Sequence, residues 1–167
     1  MKNHIIVVFG KPGTGKSYVA KILEEKFGYF PYNGDDALPL DMKNTLFKRE
    51  EITEDMRDRF LNNMITKIRK LAEVNSKVVV HQTFLREFMR KTLLSELPNA
   101  TFLLIETDDP LREKRYMERK YFNLGIPYLR KMTDLFEDVR VPHEIIYNNK
   151  EGPQEIIKQL RSILFIK

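Results

Sequence analysis

Cysteine is absent from the 167 residues, which excludes disulfides and thiolate metal sites and fits a reducing compartment. Long apolar runs are missing as well. No stretch approaches the roughly 20 residues that span a bilayer. The N-terminal run Ile5 to Phe9 is too short for a signal-peptide core and leads straight into glycines. There is no repeat, linker or low-complexity segment, and no compact basic tract with interleaved aromatics of the kind that grips nucleic acid. The excess of 29 Lys+Arg over 24 Asp+Glu is modest and dispersed.

What remains is globular material. With 42% hydrophobic and 32% charged residues, the chain has too much apolar content for disorder. Its length suits one domain, residues 1–167, with a full core. Ile5-Ile6-Val7-Val8-Phe9 is a continuous β-branched run, which predicts a strand buried on both faces. Val19, Ala20, Leu23 and Phe27 then fall at helical spacing, and Gly28 stops that helix. Further strands are predicted at Tyr29–Tyr32, Lys77–His81, Thr101–Glu106 and Glu144–Tyr147.

Helices are predicted between these strands. A long one is capped by Thr53 and carries Met56, Phe60, Met64, Ile68 and Leu71 on one face. Others cover Arg86–Leu97, Pro110 to about Tyr121, a segment ending near Glu137, and the tail after Gly152-Pro153. Residues 37–50 have no readable period. The alternation predicts an α/β fold, a five-stranded parallel sheet with helices on both faces.

One motif carries chemistry. Gly10-Lys11-Pro12-Gly13-Thr14-Gly15-Lys16-Ser17 matches G-x-x-x-x-G-K-[ST] at every fixed position, between a buried strand and an amphipathic helix. Glycines let the backbone approach phosphate where a Cβ would block it. Successive N–H groups, with the positive end of the helix, then cradle the phosphate oxygens. Lys16 neutralises the terminal phosphates, and the Ser17 hydroxyl can ligate Mg²⁺. The cofactor-binding set is therefore Gly10, Pro12, Gly13, Thr14, Gly15, Lys16, Ser17 and the adjoining Tyr18.

The chain has no GTPase-like Asn-Lys-x-Asp, and an acidic pair, Asp35-Asp36, follows the second strand. With these features it resembles the gluconate kinase and shikimate kinase branch of the P-loop small-molecule kinases. The resemblance rests on Asn33-Gly34-Asp35-Asp36-Ala37-Leu38-Pro39, on Ile52-Thr53-Glu54-Asp55-Met56-Arg57, on His81 to Arg86, and on Arg112, Arg115 and Arg119. It implies the sheet order 2-3-1-4-5, an acceptor-binding helical region at about 37–75, a lid at about 120–128, ATP as phosphate donor and Mg²⁺. The chain departs from gluconate kinases in three ways: Asn33 replaces an Asp, and both the Leu-His-Pro histidine and the Cys-Ser-Ala-Leu-Lys-like signature are missing. The Gly-Gly-Gly element of shikimate kinases is missing too.

Asp35 is the expected base for the acceptor hydroxyl, and Asp36 an alternative base or a Mg²⁺ support. Turn-forming tendency alone would also account for this pair. Arg57, Arg86, His81 and Gln82 are expected to face the acceptor. Arg112, Arg115 and Arg119 share one helix face, where like charges repel unless an anion joins them. Arg119 is expected to stabilise the transferring phosphoryl group, and Arg115 and Asn148 to lie on the nucleotide side. The leading expectation is a cytoplasmic ATP-dependent kinase, monomeric or homodimeric, that acts on a small metabolite such as a sugar acid, with no membrane or nucleic-acid partner. A nucleoside or nucleotide kinase, and a nucleotide switch or ATPase without transfer, are the alternatives.

Overall fold

The β-branched runs become the strands of one sheet. A computed structural model of the chain describes residues 3–121 and 123–165. Strands β1 (His4–Phe9), β2 (Phe30–Asn33), β3 (Lys77–His81), β4 (Thr101–Glu106) and β5 (Glu144–Tyr147) are all parallel, in the order β2-β3-β1-β4-β5. Helices α1 (Lys16–Phe27), α2 (Leu40–Phe47), α3 (Glu54–Val74), α4 (Glu87–Glu96), α5 (Asp109–Met117), α6 (Ile126–Leu135) and α7 (Gln154–Phe165) join and cover them. Among the described residues, no helix is long and apolar enough to cross a membrane.

Period-two alternation divides the core between the two faces of the sheet. Val7 and Phe9 of β1 point into one layer with Val80, Phe102, Phe60, Met64 and Ile68, under α3 and α4. Ile6 and Val8 point the other way, onto Val19, Leu23, Ile156 and Leu160 of α1 and α7. Both faces of β1 are sealed, which explains its unbroken apolar run. The N-cap expected at Thr53 forms, its hydroxyl accepting from Met56 N at 3.2 Å.

Two segments differ from the sequence expectation. Residues 37–50, without a readable period, contain α2, which is tied to α3 by a bidentate pair between Arg59 and Asp41 at 3.2 and 2.5 Å. Helix α5 ends at Met117 rather than near Tyr121, because Asn123 Nδ2 donates to the Met117 carbonyl at 3.1 Å and closes the helix end. Gly125, at φ 87°, then opens α6 with Pro127 in its first turn. The segment predicted to be a lid at 120–128 therefore runs into α6, and Phe122, inside it, lies outside the described residues.

A buried cation holds the β3–α4 loop. Arg90 is 0% exposed and sits over the Phe9 and Phe136 rings at 5.5 and 4.5 Å. Its guanidinium donates to the carbonyls of Phe84, Leu85, Glu137 and Asp138 and to Glu87 Oε2. Phe84 has φ 48°, a left-handed conformation costly for a bulky side chain, and Arg90 holds its carbonyl at 2.8 Å. Arg90→Leu removes the side-chain donor from the Phe84, Glu137 and Asp138 carbonyls and leaves the Glu87 carboxylate without its cation. It is expected to cost about 3–5 kcal/mol in urea unfolding, and a loss under 1 kcal/mol would contradict this role.

Candidate functional site

Strand register builds one rim. Val8 of β1 and Asn33 of β2 both pair with His81 of β3, so three strands end in one row. The loops leaving them carry Gly10–Ser17, Asn33–Asp36 and Gln82–Arg86. From central β1 the chain turns one way to β2 and β3 and the other way to β4 and β5, and ligands of open α/β sheets bind at such a switch point.

The glycine loop holds its lysine beneath it. Lys16 is 8% exposed, and its Nζ donates to the Lys11 carbonyl at 2.9 Å. Burial first, then the charge of Arg119 and more weakly that of Arg112, lower its pKa from 10.5 to about 7; Asp35 opposes the shift. An ammonium both desolvated and flanked by cations is a site prepared for an anion. Behind the loop, the Pro12 carbonyl accepts from Arg112 at 3.2 Å. The Thr14 carbonyl accepts from Asn148 Nδ2 at 2.8 Å and Thr107 Oγ1 at 3.0 Å. In a trans peptide the C=O and N–H point opposite ways, so carbonyls drawn backward turn the N–H groups of Gly13 and Gly15 forward. A Cβ on Gly13 would lie 2.6 Å from the Arg112 carbonyl, and one on Gly15 would lie 2.4 Å from Asn148 Nδ2.

In front of the loop opens a cleft of about 980 Å³. Lys16, Ser17, Asp35 and Arg119 line it, with Arg57, His81, Gln82 and Arg86 further along the wall. Gln82 Nε2 donates to Asp35 Oδ1 at 2.7 Å, and its Oε1 accepts from Thr83 N at 2.7 Å, so the amide fixes the carboxylate. Asn33 Oδ1 accepts from Asp35 N at 3.0 Å and caps the short 3-10 turn Gly34–Ala37. Burial first, then Lys16, lowers the His81 pKa, with Asp35 and Asp36 opposing. Burial, followed by the charge of Arg86, lowers the pKa of Arg57, and Arg57 Nη1 donates to the Ile52 carbonyl at 2.7 Å. Arg86 reaches Glu137 at 3.3 Å through Nη1. Its buried Nε has no hydrogen-bond partner among the described residues.

Other expected site residues lie elsewhere. Asp36 is exposed and lines a separate groove with Phe30, Tyr32 and Lys67, away from Ser17, because its turn sends successive side chains to different sides. Tyr18 is 38% exposed and outside the cleft lining. The side chain of Asn148 backs the glycine loop, and Arg115 Nη1 donates to the Asn148 carbonyl at 2.7 Å. Arg112 is 3% exposed and packed behind the loop, so it does not join Arg119 on a phosphate-facing surface. Sequence reasoning missed Arg49 and Thr107, and it had Tyr128 only as the end of the expected lid. Arg49, φ 59°, sits in a stretch without a period, and Thr107 is an ordinary residue after a strand. Tyr128 lines the cleft from α6, its pKa pushed up to about 12 by burial.

A family model described as an AAA domain matches residues 5–123. The chain belongs to this AAA-domain family. The match includes the glycine loop, Asp35, Gln82 and Arg119, and stops before α6. A nucleotide-binding protein from the ptsN-ptsO intergenic region of Shewanella violacea is 28% identical over 145 residues, 85% of this chain; the chain spans only 43% of that relative's length. A probable gluconokinase of Xenopus tropicalis is 25% identical over 157 residues, covering 85% of this chain and 83% of the relative. The crystal structure of a sugar kinase from Janibacter sp. superposes with a TM-score of 0.81 at 17% identity, covering 98% of this chain and 95% of the other. The AAA domain thus has the fold of the P-loop small-molecule kinases, and it resembles gluconate kinase.

Lys16→Met removes a desolvated ammonium from among like charges. Without ligand, the variant is expected to melt at the same temperature or a few degrees higher. The rise in melting temperature that saturating ADP gives the native chain should vanish. A variant that melts well below the native chain, or that keeps the ADP shift, would contradict this reading of Lys16.

Proposed function

We propose that this chain is an ATP-dependent kinase that moves the γ-phosphate to a hydroxyl of a small acceptor, with a sugar acid of the gluconate type as that acceptor. The observation that carries the reading is one cleft lined by Lys16 and Ser17 at the phosphate loop, by Asp35 held by Gln82, and by Arg119. A bare nucleotide site needs the loop alone. A fixed carboxylate across from it suits a hydroxyl that must lose a proton.

In this reading Asp35 accepts the acceptor proton as the acceptor oxygen bonds to the γ-phosphorus and the bond to the β–γ bridging oxygen breaks. Lys16 and Arg119 balance the charge that shifts onto the phosphate oxygens. Ser17 would hold Mg²⁺, which when bound neutralises phosphate charge. Among the described residues no three His, Cys, Asp or Glu side chains gather into a metal site. Mg²⁺ carried on phosphates with a hydroxyl and water needs no such cluster. Asp36, on the other side of its turn, is left out of the metal set.

The acceptor would lie between α2, α3 and the β3–α4 loop, roughly residues 37–75 with Gln82–Arg86. Arg57 and Arg86 both line the cleft there, and a donor of Arg86 is unpaired. Two guanidinium groups on one cleft wall favour a carboxylate-bearing ligand. Arg86 and the half-buried His81 would then contact the acceptor.

Mg-ATP incubated with a panel of sugar acids, polyols, nucleosides and nucleotides should release ADP only with its acceptor. Asp35→Asn is expected to lower that turnover by about 10²–10⁴-fold and to keep the melting-temperature shift given by nucleotide. ADP release equal with and without every acceptor would turn the reading into an ATPase or switch. Full transfer by Asp35→Asn would remove Asp35 as the base.

A further inference from the structure

Arg112 is the point where three parts of the molecule meet. It lies on α5 and is 3% exposed. Its Nη1 donates both to the Pro12 carbonyl of the phosphate loop, at 3.2 Å, and to Thr133 Oγ1 of α6, at 2.9 Å. Nε and Nη2 are held by Asp109 Oδ1 at 3.3 and 3.1 Å, so the guanidinium plane is fixed from its own helix. Thr133 in turn donates to the Leu129 carbonyl at 2.8 Å, which anchors its hydroxyl within α6. Tyr128, Lys131, Met132 and Leu135 of that same helix line the cleft.

We propose that Arg112 is a positioning residue that couples phosphate occupancy of the glycine loop to the placement of α6, a wall of the acceptor cleft. The inference rests on the loop binding nucleotide phosphate, and it adds a path from that event to the acceptor side. A phosphate oxygen that accepts from Gly13 N–H polarises the Pro12–Gly13 peptide and makes the Pro12 carbonyl a better acceptor. That carbonyl's partner is Arg112. Tightening this bond fixes the guanidinium, and the guanidinium holds Thr133. The two segments also lie close, since a Cβ on Gly13 would come within 3.0 Å of Arg112 Cγ.

A second polar link between the two helices, Arg130 to Glu113 at 3.3 Å, is 69% and 36% exposed. Solvent screens such a pair, which leaves the buried arginine as the stronger tie. Coupling of this kind is reciprocal: a ligand that orders α6 must also favour nucleotide.

Hydrogen–deuterium exchange of the native chain, Arg112→Lys and Thr133→Val, each with and without saturating ADP, tests this. Thr133→Val is nearly isosteric and leaves the Arg112–Pro12 bond in place, so it separates coupling from folding. In the native chain ADP should slow exchange in residues 13–18 and, by about fivefold or more, in residues 126–135. Thr133→Val should keep the first protection and lose most of the second; Arg112→Lys, which also loosens the Pro12 carbonyl, should weaken the first and lose most of the second. A variant whose α6 protection equals the native value would overturn the proposal. So would native α6 amides indifferent to ADP while the loop is protected. Were loop amides unprotected even in the native chain, phosphate binding itself would be refuted and the coupling with it.

Discussion

The direction of two backbone carbonyls sets the rest of the site. Pro12 and Thr14 turn their oxygens backward into Arg112, Asn148 and Thr107. The loop's N–H groups must then face the cleft, where they can meet phosphate without further rearrangement. Three separate elements supply these partners: α5 and the segments after β4 and β5. The glycines are required by the closeness of this backing as much as by the ligand, since side chains at Gly13 or Gly15 would strike Arg112 or Asn148. The cradle is therefore a tertiary structure, although its residues are consecutive.

Charge follows the same plan. The cleft gathers Lys16 and Arg119 near the loop, and Arg57 with Arg86 further along, with Asp35, Glu50 and Glu51 as its carboxylates. Burial first, and the neighbouring cation second, disfavour the charged forms of Lys16 and Arg57 in the ligand-free state, as their lowered pKa values record. Anionic ligands relieve that repulsion, so part of the binding energy is stored in the fold before the ligand arrives. Asp35 escapes the role of simple counter-ion because Gln82 holds it across the cleft.

Buried arginines serve a different purpose from those lining the cleft. Arg90 has no access to solvent and binds four carbonyls, so it can hold Phe84 in a left-handed conformation and fix the loop from Gln82 to Arg86. Arg112 does comparable work behind the phosphate loop. In both places a planar cation with several donors satisfies carbonyls that irregular backbone would otherwise leave unpaired.

Much of this was legible in the residue pattern. The unbroken run at β1 reads as a strand sealed on both faces, and the glycine-lysine-serine spacing marks the turn between it and α1. These are local facts, set by side-chain period and allowed backbone angles. Asp35 could be located because it lies two residues beyond a strand that ends level with β1 and β3. Tertiary structure decided the rest. Neighbours in sequence parted, Asp35 toward the cleft and Asp36 to another groove, because a tight turn sends successive side chains to different sides. Arg112 and Arg119, read as one charged helix face, separated because α5 ends at Met117, leaving Arg112 to be buried by packing and Arg119 to reach the cleft. Nothing in the sequence marks Arg90, whose carbonyl partners come from two separate loops. Sequence spacing tells which groups a chain owns and how they repeat; only the meeting of remote segments tells which of them face a ligand and which hold the fold.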